Sequence, residues 1–168
     1  MATGLTGDAN EASMMSGVDA AFTALASMLM EPDLLVGAGM HGGAQMLSLP
    51  KILLDCEVFR ECRRVCAGLT VDADHLMTGV VADVGPGGHF LKARQTRQYM
   101  RSGELYLPEL MLREPYEAWR DGKTAEVGRA VAAVEQILAS HRVTALPPGA
   151  DARIADVVAA AGRELGGR

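Results

Sequence analysis

Clustered positive charge is missing from this sequence. Asp and Glu number 21 against 16 Lys and Arg, for a net charge of −5, and no basic block breaks the pattern. A nucleic-acid footprint is therefore excluded. No apolar run approaches the roughly 18 residues of a membrane span. Met1-Ala2-Thr3-Gly4 shows no basic segment leading into an apolar one, so no signal peptide is visible and a cytoplasmic location is expected. The three cysteines have no framework spacing, which suits a reducing compartment. Aromatic residues make up 4% of the 168 residues, so any core must be aliphatic and rich in the 10 methionines, with 19 glycines bending the backbone. A chain of this length can bury a real core.

Residues 1–10 are small and polar and read as a loop. From about Glu11 to Met30, Met14, Met15, Val18, Ala21, Phe22, Leu25, Met28 and Leu29 recur at helical spacing until Pro32 ends the pattern. Leu34-Leu35-Val36 then runs into Gly37-Ala38-Gly39 as a short apolar strand of the kind buried on both faces in a parallel sheet. Residues 40–47 read as a Gly/Met/His loop. Ser48 is an N-cap, and Pro50 suits the first turn of a helix reaching about Ala67. A shorter helix, capped by Asp72 or Asp74, extends to Val84 with Leu76, Met77, Val80 and Val81 inward. Residues 92–102 form a polar helix and 115–121 a short one. Thr124 caps a long helix to His141, and a last helix follows the Pro147-Pro148-Gly149 linker. A single confident strand is a warning, because its backbone groups need neighbours on both sides.

Four features carry candidate chemistry. On the helix after Ser48, residues Ile52, Phe59, Cys62, Cys66 and Leu69 share one apolar arc, and Asp55 lies in the middle of it. A carboxylate there must be paired, hydrogen-bonded or functional. Cys62 and Cys66 align with that arc and read as core rather than as metal ligands. Gly37-Ala38-Gly39-Met40-His41-Gly42 matches a dinucleotide fingerprint, but neither the helix nor the acidic residue that should follow is in place. Val84-Gly85-Pro86-Gly87-Gly88-His89-Phe90-Leu91 cannot be helix or interior strand. It is either a tight connector or a bare-backbone loop made for close approach to a ligand. His41 and His89, both in glycine-rich loops, are better placed to touch a ligand than His75 and His141 at helix ends.

The run from Val84 to Leu91, followed by Leu107-Pro108-Glu109-Leu110, Arg113 and Tyr116-Glu117-Ala118-Trp119, resembles the C-terminal part of the trimethylamine–corrinoid methyltransferase family. Upstream, Val36-Gly37-Ala38-Gly39, Ser48 and Asp55-Cys56-Glu57 are similar to the family's strand-end glycine pair and acid-x-acid helix. The resemblance covers nearly the whole chain. It implies an α/β fold: the last elements of an eight-stranded TIM (β/α)8 barrel over residues 1–122 and a C-terminal helical tail over 123–168, an incomplete barrel in this chain. It further implies transfer of a methyl group from a methylated amine to the cobalt of a separate corrinoid protein, with no cofactor or metal bound directly. No catalytic residue is assigned. Gly37, Gly39, His41, Asp55, Gly87, Gly88, His89, Phe90 and Tyr106 are the implied contacts to substrate or corrinoid. The sequence departs from the family at Gln95-Thr96, where His-Thr is usual, and at Pro50, Met15 and Asp19. No pyrrolysine is present, which favours glycine betaine over trimethylamine. The alternative is an inactive family fragment that pairs with the missing barrel half or with its own copies.

Overall fold

A computed structural model describes residues 1–122 and 125–165. It is an α/β structure, mostly helical with few strands. Two compact units are present, Met1–Gln136 and Ile137–Arg168.

In the first unit, β1 (Ala2–Thr3) leads through a loop to α1 (Met14–Met28), which returns the chain to β2 (Leu35–Val36). β2 pairs in parallel with β1, Ala2 opposite Leu35 and Thr3 opposite Val36. The expected strand therefore exists, but it is not alone: its neighbour comes from residues expected to be loop. Two residues of strand are too few to show a periodicity, which is why the sequence hid β1. Nor is the strand buried on both faces, since Leu34 is 54% exposed and Leu35 and Val36 are only half-buried.

β3 (Met40–His41) and β4 (Met46–Leu47) form an antiparallel hairpin where a plain loop was expected. Gly42 and Gly43, both in the left-handed region, make its turn. This hairpin, in place of a helix, is why the dinucleotide fingerprint fails. Next comes α2 (Leu49–Cys66), capped by Ser48, whose hydroxyl accepts the Lys51 N–H.

The apolar periodicity of α1 marks a helix but not its buried face. Ser16, Ala20, Ala24 and Ser27 are buried, while Met14, Val18, Phe22 and Leu29 are exposed. At Ala24 a small residue is needed because the helix lies close on the end of β1: a β-carbon on Gly4 would stand 3.1 Å from the Ala24 Cα. Ser27 also donates its hydroxyl to the Thr3 carbonyl at 2.7 Å. The core around Leu5, Ala24 and Cys62 is filled out by Leu25, Met28, Leu35, Val58 and Phe59. Cys62 is thus a core residue as expected, whereas Cys66 is exposed, and so is Leu69 beyond the helix end.

The helix expected up to Val84 is broken into α3 (Ala73–Leu76) and α4 (Thr78–Val84) by Met77, which adopts a left-handed backbone (φ +48°). Asp72 caps α3. The apolar side chains expected to point inward do not, for neither helix buries a residue. A 3-10 turn (Phe90–Lys92), α5 (Arg94–Arg101), α6 (Tyr116–Gly122) and α7 (Glu126–Ser140) follow. Thr124, the expected cap of α7, lies outside the described residues. In the second unit, α8 (Ala150–Leu165) follows the Pro147-Pro148-Gly149 linker and leaves Ile154, Val157 and Val158 exposed. No described helix is long and apolar enough to cross a membrane.

Candidate functional site

Gly37, Gly39 and His41 follow directly on the C-terminal end of β2, and all three are buried. Gly37 (φ +124°) and Gly39 (φ +84°) hold backbone conformations that side chains rarely adopt. A β-carbon on Gly37 would overlap the Gly4 carbonyl, and one on Gly39 would overlap the Ile52 side chain. Both glycines are therefore demanded by the packing itself.

Asp55 reaches this turn from α2. It is 2% exposed, and its Oδ2 accepts the Gly39 N–H at 2.7 Å. Lys51, one turn earlier and 3% exposed, donates to Asp55 Oδ1 at 2.8 Å, to Oδ2 at 2.6 Å and to the Leu5 carbonyl at 3.0 Å. The acidic residue on the apolar arc is thus both paired and hydrogen-bonded. Burial pushes its carboxyl up from the ordinary value, and the Gly39 N–H, the Lys51 ammonium and the His41 ring pull against that shift. Leu5, at the far end of this network, has φ +60°, an unusual backbone for a bulky residue. Sequence reasoning missed Lys51, although a Lys–Asp pair at i, i+4 on one helix face was there to be found.

His41 is 5% exposed, and its Nδ1 lies 3.1 Å from the Ala9 carbonyl oxygen. A carbonyl can only accept, so Nδ1 carries the hydrogen, and in the neutral form of the ring the lone pair is on Nε2. The same Ala9 oxygen accepts the Gly42 N–H at 3.0 Å.

Glu57 is the residue the sequence most understated. It lies on a different side of α2 from Asp55, yet it is 1% exposed. Its Oε1 accepts the N–H groups of Glu109 and Leu110 at 2.5 and 2.7 Å, and Oε2 accepts that of Met111 at 2.8 Å. One carboxylate thus holds three successive backbone donors of an irregular segment. Arg129 on α7 ties the same segment by donating to the Leu110 carbonyl at 2.6 Å. Met111 in turn lines a cleft of about 420 Å³ together with Ser13, Ser16, Lys51, Asp55 and Glu126.

Tyr106 stands just before that segment. Its hydroxyl is enclosed and makes no hydrogen bond among the described residues. Burial raises its phenol pKa, the Glu57 charge adds to the rise, and the Arg60 guanidinium opposes it.

The loop residues Gly87, Gly88, His89 and Phe90 are exposed. Gly87 is left-handed (φ +76°), and Gly88 has no room for a β-carbon beside the Val84 carbonyl. Thr96 fastens the loop's far end by donating to the Phe90 carbonyl at 2.8 Å. Phe90 also lines a cleft of about 670 Å³ with Leu76, Val81, Tyr99, Met100 and Leu105. The expected site residues therefore fall into three places: the β2 end, the exposed loop, and Tyr106 beside Glu57. No hydrogen bond or ion pair joins the β2 end to the loop among the described residues.

The model of the trimethylamine methyltransferase (MTTB) family matches residues 2–166. The chain belongs to this family. It is 31% identical over 160 residues to a glycine betaine methyltransferase of Desulfitobacterium hafniense (strain Y51), covering 95% of this chain and 33% of that relative. It is 26% identical over 142 residues to the trimethylamine methyltransferase MttB of Methanosarcina barkeri, covering 84% of this chain and 28% of that relative. The chain thus spans about a third of the length of the curated relatives it matches. Asp55 and Glu57 are thus two buried carboxylates on one helix, Asp55 holding one backbone N–H at the β2 end and Glu57 three in the 109–111 segment.

Proposed function

We propose that the chain belongs to a methyltransferase that takes a methyl group from a quaternary amine of the glycine betaine type and passes it to a corrinoid carried by a partner protein. The observation that carries this reading is the match to the family along nearly the whole chain, with higher identity to the glycine betaine enzyme than to the trimethylamine enzyme. The geometry adds support. β1, α1 and β2 make a parallel β-α-β unit, which is the repeat from which a (β/α)8 barrel is built. In this reading the two strands belong to such a barrel, and residues 123–168 form its helical tail. Strand C-terminal ends are where barrels place their sites, and Gly37, Gly39 and His41 stand there.

The residues present suit a methylammonium group and a large planar partner. A trimethylammonium cation has no N–H to donate, so it is held by aromatic faces and by charge at short range. Phe90, exposed in the glycine-rich loop, offers such a face. The exposed backbone of Gly87 and Gly88, with His89 beside it, leaves room for a broad ring system carried by another protein. A reduced corrinoid cobalt supplied by that partner would accept the methyl group. The part left to this chain is positioning: placing the C–N bond and excluding water.

The test is methyl transfer from glycine betaine to a reduced corrinoid protein, followed by the cobalt spectrum. The chain together with a polypeptide supplying the remaining barrel strands is expected to turn over glycine betaine in preference to trimethylamine. Preference for trimethylamine, or no turnover in the completed assembly, would overturn the reading. The 168 residues by themselves are expected to give no turnover. They are then an interaction piece, a second reading favoured by the exposed Met14, Val18 and Phe22 of α1 and Leu29 at its end.

A further inference from the structure

We infer that Asp55 is a positioning residue for His41, acting through the Gly39 peptide rather than on a substrate cation. This deepens the proposed function, because it rests on His41 being a group that faces the site. The argument begins with what Asp55 has left to offer. Both carboxylate oxygens are taken, Oδ1 by Lys51 and Oδ2 by Lys51 and the Gly39 N–H. The residue is almost completely enclosed. Lys51 has three donors and three acceptors within reach, the two Asp55 oxygens and the Leu5 carbonyl. Lys51 has no donor left for a ligand, and Asp55, with the ammonium on both oxygens, presents no unpaired charge to a substrate cation.

The pair instead holds the Ala38–Gly39 peptide plane, because Asp55 receives the Gly39 N–H. The next plane is fixed separately, the Gly39 carbonyl accepting the Ser48 N–H at 2.9 Å. Gly39 is the root of the hairpin that carries His41. That hairpin has strands of only two residues, too short to set its own register. Its orientation must come from its root and from the 7–9 loop, where the Ala9 carbonyl receives both the His41 ring and the Gly42 N–H and the Gly7 carbonyl receives the Gly43 N–H at 3.2 Å. Freeing the Gly39 N–H lets the root turn, and the His41 ring then loses its alignment on Ala9. With that bond goes the single tautomer that presents Nε2 as an acceptor.

The full chain, labelled with ¹⁵N at histidine, tests this by NMR of the His41 ring nitrogens. The informative variants are Lys51→Met/Asp55→Leu and Lys51→Met/Asp55→Asn. The first removes the ion pair and the Gly39 acceptor together, and an apolar pair in place of a buried ion pair is commonly neutral or stabilising. The second removes the charges but leaves an amide oxygen for the Gly39 N–H. A purely structural ion pair predicts no difference between them at His41. The positioning role predicts that the asparagine variant keeps two well-separated ring resonances with the proton on Nδ1. The leucine variant is expected to lose them to an averaged pair. Unchanged resonances in the leucine variant, or loss in both variants alike, would overturn the inference. Should the leucine variant not fold, Lys51→Met/Asp55→Ala takes its place with the same expected loss. The measurement involves neither glycine betaine nor a corrinoid, so it can fail while the methyl-transfer reading stands, and the reverse holds equally.

Discussion

Replacing Glu57 with glutamine tests the physical account of this fold most sharply. The side chain keeps its size, and its burial leaves no route for water to compensate. In the native chain three N–H groups converge on the carboxylate, two on Oε1 and one on Oε2. A glutamine oxygen at the Oε1 position can still receive Glu109 and Leu110. The amide nitrogen at the Oε2 position then points its own hydrogens at the Met111 N–H. One buried donor is left unmatched, at a cost of about 1–3 kcal/mol, and the remaining bonds lose their charge assistance, worth about 1 kcal/mol more. Glu57→Gln is therefore expected to destabilise the chain by about 2–4 kcal/mol, read as a lowered urea midpoint at unchanged m-value. Amide exchange at residues 109–111 is expected to rise first, since those donors lose their acceptor. A loss below about 0.5 kcal/mol, the size of an ordinary surface change, would refute the claim that this one carboxylate organises the segment.

An ion-pair bridge and two glycines give further expected outcomes. His75 donates through Nδ1 to Asp72 at 2.6 Å and through Nε2 to Glu104 at 3.0 Å, and these hydrogen bonds raise its pKa while His75 lowers that of Asp72. A raised histidine stabilises the fold fully below its ordinary value of about 6.5, and a lowered carboxyl does so above its ordinary value of about 3.9. The bridge between 72–75 and Glu104 should be strongest between those limits. It should be lost as pH rises through the raised His75 value, and lost again as pH falls through the lowered Asp72 value. Protected amides near Ser102 and Glu104 that ignore pH across this range would contradict the assignment. Two glycine-to-alanine changes should have opposite signs. Gly37→Ala, which would force a β-carbon into the Gly4 carbonyl at φ +124°, is expected to cost about 2 kcal/mol or more. Gly17→Ala, inside α1 with open space around it, is expected to stabilise by about 0.5–1 kcal/mol. Thermal melts of the two variants check both.

Much that is local was legible from residue types alone. Ser48 before Leu49-Pro50 sets the start of α2, and Asp72 sets the start of α3, because a side-chain oxygen beside the first turn satisfies backbone donors whatever surrounds it. The requirement that Asp55 be paired or hydrogen-bonded followed from the cost of burying a bare charge. Family membership was legible too, since the Val84–Leu91 run carries the resemblance and the family model matches residues 2–166. Which face of α1 is buried was not legible. Hydrophobic spacing marks a helix, but α1 packs against β1 and α2 through Ser16, Ala20, Ala24 and Ser27, and that packing is a property of the assembled elements. The neighbour of β2 came from two residues whose pairing depends on a strand more than thirty positions away. The task of Glu57 was hidden for the same reason. Its three partners lie 52 to 54 residues further along and become neighbours only when the 109–111 segment is laid against α2. Short-range preferences are written in adjacent residues, whereas the partner of a buried charge is decided by which distant backbone the fold brings to it.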